Sequence, residues 1–432
     1  MFLLNKLKYA LYRRYFLSES DVILDCIRKR DLCSLLKFLK RQVPFYSGYL
    51  SEHKIKRSDC IEILKTLLIV KKEDLRNDTS RRASFVDENW SPWYNTGGST
   101  GEPLRFPGGL LSRWTPDREQ LCQAWLYREM TGRFEPRIVS VDGSRVDESD
   151  RARGVFWVSG RPNFPYGSLH FSTLYLTAET FTAYARKLDE AAPEVIRGYP
   201  SGVAELARLA EDSGHTFRFT PKGIYLTSEN ITEAHIEVIE RVFGCPVWGQ
   251  YGHSESSVFA VRRPGDEAYE CHPAAGIVEV LRPDGTHAER GETGEIVVTG
   301  FSNRAMPFVR YRTGDLAEYG GRRGAFTILN RLVGRDTDFI TDRSGRRHHL
   351  VGLVFGGHIP AFNHIDGWQI EQTAPGRVRL YVVRGKSYTD DVEHELTRFF
   401  SSHGFEASVS YVGTLRKTAR GKQPFLIKNR ES

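Results

Sequence analysis

The apolar positions in residues 1–80 recur at helical spacing: Leu35, Leu36 and Leu39, then Ile61, Leu64, Leu67 and Leu68. This predicts a helical region that packs one stripe against the main body. The pattern is again helical from 115 to 130 and then changes character between 137 and 260. Short apolar runs (Val155–Val158, Val195–Ile196, Ile224–Leu226 and Val247) alternate there with helical segments over 178–190, 201–212 and 231–243. Strands alternating with helices at that interval predict βαβ units and a largely parallel sheet. Gly276–Leu281 and Gly294–Thr299, with Pro283-Asp-Gly285 between them, read as antiparallel strands joined by a tight turn. The last stretch, 336–432, has strand patterns near 377–384 and 407–412 around a helical pattern near 389–402. It reads as a small α+β unit, so the expected fold class is α/β.

Composition narrows this. A chain of 432 residues is too long for one ordinary core. With 40% hydrophobic and 27% charged residues it has the mix of a soluble globular protein, not a disordered or fibrous one. No apolar stretch approaches the ~18–20 residues that span a bilayer. The opening MFLLNKLKYALYRRYF interleaves charge with apolar residues, unlike a signal peptide, so a cytoplasmic protein is expected. The six cysteines form no C-x-x-C pair, which fits free thiols in a reducing compartment. Cys245, Cys271, His272 and His253 are of zinc-binding type, but their spacing matches no compact ligand pattern. The net charge of +7 is concentrated: residues 1–41 hold ten Lys/Arg against four Asp/Glu. That segment reads as a solvated helical face, with contact to anionic lipid or nucleic acid as the alternative.

The densest chemical signal is Tyr94-Asn-Thr-Gly-Gly-Ser-Thr-Gly101-Glu-Pro103. Its three glycines and three hydroxyl residues, Thr96, Gly97, Gly98, Ser99, Thr100 and Gly101, build a loop whose N–H groups can wrap an anion. It lacks the lysine of a Walker loop. Further on, Tyr251-Gly-His-Ser-Glu255 follows the apolar run Cys245–Gln250, and Arg310-Tyr-Arg-Thr-Gly-Asp315 reads as a tight turn ending in an acid. Gly334-Arg335-Asp336-Thr337-Asp338 comes next, and Thr418-Ala-Arg-Gly-Lys422 lies near the end.

These elements, in this order, resemble the adenylate-forming superfamily of acyl-CoA synthetases, adenylation domains and luciferases. Within it the chain is most similar to the phenylacetate–CoA ligase branch and its relatives encoded with capsular-polysaccharide genes. Val43-Pro-Phe-Tyr46 and Gly198-Tyr-Pro-Ser201 support that branch, and the resemblance spans roughly 40–425. It implies a basic helical region at 1–80 and a large adenylation domain at 81–335, with Rossmann-like parallel sheets and a small β-barrel-like region. A small mobile α+β domain at 336–432 would carry the catalytic lysine.

The resemblance also implies an activity: activation of a carboxylic acid by ATP as acyl-AMP, then transfer of the acyl group, with CoA as the expected acceptor. The loop Thr96–Gly101 would grip the β- and γ-phosphates. Tyr251 and Gly252 would lie against the adenine or the α-phosphate. Glu255 would hold Mg²⁺, a hard cation that prefers oxygen ligands. Asp315 would take the ribose hydroxyls and Arg335 the ribose or phosphate. Lys422 would reach the forming acyl–phosphate bridge, with Lys417 the alternative if the register slips. Asp338 would be the hinge. Tyr199, Trp248, Gly249, Gln250 and His253 would border the acyl pocket.

Two departures stand out. His253 replaces the Thr or Gln of many acyl-CoA synthetases, and the C-terminal domain is short, which weakens the expectation of CoA. Alternatives are acyl transfer to an amine or hydroxyl, adenylyl transfer, or a non-catalytic scaffold docking on membrane or nucleic acid. The expected partners are a small-molecule carboxylic acid, ATP and CoA, with no nucleic acid. Peripheral membrane contact through the basic start is a lesser expectation, and a dimer is compatible with the sequence.

Overall fold

Helix α1 (Asp21–Gln42) buries Leu24, Ile27, Leu32, Leu35, Leu36 and Leu39 along one side, the stripe its spacing predicts. It begins on Asp21 and ends on Lys40 and Arg41, charges that complement its dipole. Val43 precedes a proline and is extended, which ends the helix. Pro44 then starts α2 (Pro44–Leu50). Helices α3 (Cys60–Thr66) and α4 (Lys72–Asn77) follow. Leu32, Leu36, Tyr46, Leu50 and Leu64 share one core with Phe301 and Val309.

The computed structural model describes residues 20–89, 91–96, 104–108, 118–163, 165–335, 338–355, 360–385 and 387–427. The chain visits each of two compact units twice: Met1–Glu135 with Gly249–Leu332, and Pro136–Trp248 with Val333–Ser432. Among the described residues no helix is long and apolar enough to cross a membrane.

After α4 the first unit holds the hairpin of β1 (Trp93–Asn95) and β2 (Arg105–Pro107), with Asn95 opposite Arg105, and then α5 (Arg118–Thr131). The second unit opens with β3 (Ile138–Asp142), α6 (Glu148–Ala152), β4 (Trp157–Asn163), β5 (Gly167–Ser172) and α7 (Phe181–Ala191). It continues with β6 (Val195–Gly198), α8 (Pro200–Ser213), β7 (Gly223–Thr227) and α9 (Glu233–Phe243). Strand order is β7-β6-β3-β5-β4. The pairs β6–β7, β3–β6 and β3–β5 are parallel and β4 is antiparallel to β5, as the strand–helix alternation predicts. Gly214 and Gly244 end α8 and α9 in the left-handed conformation that glycine adopts without penalty. Val141, Ile196, Ile224 and Leu226 bury against Leu188, Leu206 and Ala207.

Strand β8 (Val247–Gly252) precedes the first unit's second pass, through β9 (Phe259–Arg262), β10 (Tyr269–Cys271), β11 (Gly276–Leu281) and β12 (Thr293–Gly300). Two long strands follow, β13 (Tyr311–Arg323) and β14 (Phe326–Arg335). Their order is open, β11-β12-β13-β14-β10-β9-β8. The reading of Arg310–Asp315 as a tight turn is therefore corrected: Asp315 lies inside β13. The turn-like residues serve a bulge. On β12 Glu295 and Val297 are two apart, but their partners on β13, Leu316 and Arg312, are four apart. Gly314 supplies the positive φ of +75° there.

The second unit closes with the hairpin of β15 (Phe339–Thr341) and β16 (Arg347–His349), then α10 (Leu350–Phe355). Strands β17 (Ile365–Ala374) and β18 (Arg377–Arg384), helix α11 (Asp390–Ser402), β19 (Glu406–Tyr411) and β20 (Leu426–Ile427) complete it. The sheet order is β19-β18-β17-β20. Strand β17 is absent from the sequence reading because its buried Gln369 and Glu371 interrupt the apolar alternation.

A buried ion pair fixes the start of β13. Arg310 donates from Nε and Nη2 to the two carboxylate oxygens of Glu279 on β11, at 3.1 and 3.0 Å. Its Nη1 reaches the carbonyls of Lys65 and Leu67 at 2.8 and 2.9 Å. Both residues are under 10% exposed, so losing one partner strands a desolvated charge. Burial opposes ionisation of Glu279, but His287 and Arg310 outweigh it and hold the carboxyl below its ordinary range. A depressed carboxylate pKa gives stability that is present above the unfolded value and is lost as pH falls through the folded one. Arg310→Met is expected to lower unfolding stability by ~3–5 kcal/mol in urea titrations. The variant's stability should also fall less steeply on acidification than the wild type's; equal slopes would show that the pair is not formed.

Candidate active site

In the first unit two tyrosines tie two carboxylates into one site. Tyr251 Oη, at the end of β8, donates to Asp315 Oδ2 on β13 at 2.7 Å. Burial, reinforced by Asp315, raises that phenol well above its ordinary pKa, so it remains a donor. Tyr311 Oη, four residues before Asp315, lies 3.3 Å from Glu255 Oε1. His253 Nδ1 is 3.1 Å from Glu255 Oε2. Burial opposes both charges of that pair, yet each partner offsets it, so Glu255 lies below and His253 above its ordinary pKa. Ser256, next in the chain, is held at φ +51° and donates to Glu119 Oε2 at 2.7 Å. A non-glycine residue in that region carries backbone strain, here next to the Glu255 carboxylate.

Thr96 closes the stem of the β1–β2 loop. Its N–H donates to Leu104 O and its Oγ1 accepts the Leu104 N–H, both at 2.9 Å. Gly97, Gly98, Ser99, Thr100 and Gly101 lie outside the described residues. Gln250 and Gly252 pack together: a Cβ at Gly252 would meet Gln250 Nε2 at 2.3 Å. Gln250 and Trp248 are both buried. Among the described residues no three His, Cys, Asp or Glu side chains cluster as a metal site. Burial raises the Cys271 thiol pKa and pushes His272 down to about 3, which makes both neutral core groups.

In the second unit the segment 416–424 docks on the carboxyl ends of the parallel strands. Gln369, 1% exposed on β17, holds both ends of the segment. Its amide donates to Arg416 O and Pro424 O at 2.8 and 2.9 Å and accepts the Arg416 N–H at 2.8 Å. Between those points Thr418 and Gly421 form a tight turn. Lys417 Nζ donates to Thr173 O just past β5 at 2.7 Å. Gln423 N–H donates to Glu229 Oε1 past β7 at 2.7 Å, and Ser201 N–H at the start of α8 donates to Glu229 Oε2 at 3.1 Å. Gly143 permits the approach, since a Cβ there would sit 1.8 Å from Arg420 O.

This geometry gives the two lysines different roles. Lys417 is used by a backbone carbonyl, whereas Lys422 Nζ lies 5.5 Å from the centre of the Tyr199 ring. Burial lowers the Lys422 pKa, with Glu229 opposing the shift. Burial also raises Glu229 against the N–H donors that favour its charge. Asp142 at the end of β3 accepts from Ser144 N and lies 2.8 Å from His170 Nδ1. Arg335 and Asp338 are joined by the Asp338 N–H to Arg335 O bond of 3.0 Å, with Asp336 and Thr337 outside the described residues.

The sequence reading missed Glu229, Gln369, Tyr311 and Glu119. A signal existed for Glu229, which is an acid just past the carboxyl end of a parallel strand, where α/β sheets bind ligands. Its predecessor Ser228 is held at φ +74°. Glu229→Ala removes the acceptor for two backbone N–H groups. The segment is expected to open ~1–3 kcal/mol more readily, between about fivefold and 150-fold faster trypsin cleavage after Lys417, Arg420 or Lys422. Unchanged cleavage would show that Glu229 does not hold the segment.

No protein-family model matches the chain. Protein CapK of Staphylococcus aureus is 25% identical over 435 residues, covering 97% of this chain and 93% of CapK. The phenylacetate–coenzyme A ligase of Escherichia coli (strain K12) is 28% identical over 220 residues, about half of each protein. Among solved structures, 2-hydroxyisobutyryl-CoA ligase in its postadenylation state with 2-HIB-AMP superposes with a TM-score of 0.69 at 20% identity, covering 94% of this chain and 90% of that one. The same ligase with 2-HIB-AMP and CoA in the thioesterification state gives 0.55 at 17% identity, covering 97% and 92%. AtGH3.15 acyl acid amido synthetase in complex with 2,4-DB gives 0.62 at 14% identity, covering 99% and 94%. The chain has the adenylate-forming ligase fold, and in sequence it is similar to CapK and the phenylacetate–CoA ligase branch.

Proposed function

We propose that this relative of CapK and phenylacetate–CoA ligase is an ATP-dependent ligase that makes an acyl-adenylate from a carboxylic acid. The observation that carries the reading is the convergence of Glu255 and Asp315, sixty residues apart in sequence, through Tyr311 and Tyr251. A carboxylate oxygen of the acid attacks the α-phosphorus of ATP, the bond to the β-phosphate breaks, and pyrophosphate leaves. Negative charge grows on the phosphate oxygens, so catalysis is mainly positioning and electrostatic stabilisation.

In this reading Asp315 accepts the ribose hydroxyls, and Tyr251 holds that carboxylate in place while its ring borders the nucleotide. Arg335 meets the ribose or phosphate. The β1–β2 loop closed by Thr96 wraps the outgoing phosphates. Glu255 would hold Mg²⁺, which would offset the charge that develops as pyrophosphate leaves; a single carboxylate suits an ion that keeps few protein ligands. Lys422 brings its ammonium to the bridging oxygen, and Asp338 is the hinge for that segment. Tyr199, Trp248, Gly249, Gln250 and His253 border the acid.

For the second step the CoA thiolate displaces AMP from the acyl carbonyl to give a thioester, as in the phenylacetate and 2-hydroxyisobutyryl ligases. The fold shared with an acyl acid amido synthetase favours one other reading, acyl transfer to an amine without CoA. Pyrophosphate release measured across a panel of carboxylic acids tests the first step; no release with any acid would sink it. Lys422→Ala is expected to lower the adenylation rate about 100- to 1,000-fold while ATP still binds, and full activity would refute the assignment. Products formed with and without CoA separate thioester from amide.

A further inference from the structure

Helix α1 presents a cationic face opposite its buried stripe. Arg30, Lys37 and Arg41 share that face with Ser34 and, together with Arg57, line a groove of about 490 Å³ over Cys33 and Phe38. Lys37, Arg41 and Arg57 are exposed. The loop that brings Arg57 is fixed: Lys40 Nζ donates to the carbonyls of Ser51 and His53 at 2.7 and 3.2 Å, and Cys60 Sγ to Arg57 O at 3.2 Å.

Asp31 pairs with both Arg30, at 3.0 Å, and Arg118, at 2.8 Å. The Arg304 guanidinium lies 5.2 Å from the Phe38 ring centre, and its Nη1 has no hydrogen-bond partner among the described residues. Burial and the neighbouring Arg118 push the Arg304 pKa down to about 10. No ion pair engages Lys37, Arg41 or Arg57 among the described residues.

We propose that this face docks on the anionic phospholipid headgroups of a membrane. Three observations favour lipid over a soluble anion or nucleic acid. The cations of α1 extend over twelve residues, Arg30 to Arg41, ~16 Å of helix, more than one phosphate spans but suited to a layer of headgroups. The first turn of α1 exposes aliphatic Val22 and Ile23, at 73% and 46%; these can enter a lipid interface but offer no ring for base stacking. Residues 1–18 contain Lys6, Lys8, Arg13 and Arg14 among leucines and aromatic residues and no acid at all, the composition of an interfacial anchor.

Co-sedimentation with phosphatidylcholine vesicles, with and without phosphatidylglycerol, tests this on the full chain. Binding is expected only where phosphatidylglycerol is present and should be reversed by high salt. In the triple variant Lys37→Glu, Arg41→Glu, Arg57→Glu, vesicle affinity is expected to fall at least ~100-fold, about fivefold for each lost cation. If that variant fails to fold, the corresponding triple glutamine variant replaces it. Equal binding to both vesicle types, no binding to either, undiminished binding by a folded variant, or tighter binding to RNA or inorganic pyrophosphate than to vesicles would each overturn the proposal.

Discussion

The first unit is organised around the buried pair of Glu279 and Arg310. The guanidinium spends four of its five N–H donors on one carboxylate and two carbonyls, which fixes where β13 begins. That starting point sets the positions of Tyr311 and Asp315, and through them the contacts to Glu255 and Tyr251. A one-residue slip of β13 would turn both side chains to the opposite face. The bulge at Gly314 is the second half of the same constraint, since it re-aims the strand between the two functional positions.

The second unit solves a different problem, that of holding an irregular segment which carries a lysine. Backbone groups of 416–424 would be costly to leave unpaired, and Gln369, Glu229 and Thr173 satisfy several of them at once. Most of these contacts are hydrogen bonds with little apolar burial, and such contacts hold weakly compared with a core. A segment held this way suits a part that must both dock and release, which agrees with the hinge proposed at Asp338.

The two sets of charges match the proposed chemistry. Carboxylates paired with tyrosine and histidine suit the handling of a nucleotide and its metal, and a lysine whose burial disfavours its charge gains most from a nearby anion. The cationic face of α1 shares none of these residues, so its proposed contact with lipid and the ligase reading stand independently.

Much was legible in the sequence because it depends on local periodicity. The strand–helix alternation of 137–260, the hairpin strands at 276–299 and helix 390–402 follow from spacing alone, and the ordered motifs pointed to the ligase fold. Residues whose meaning depends on partners far along the chain were hidden. Arg310–Asp315 looked like a turn because a bulge and a turn use the same residues, and only pairing with β12 distinguishes them. Strand β17 was hidden by Gln369 and Glu371, whose burial makes sense only beside their distant partners. The sequence by itself determined the fold class and the types of residue that can do the chemistry. Only the tertiary structure decided which carboxylates meet and which lysine is taken by a carbonyl, because those contacts join strands and loops that no local pattern connects.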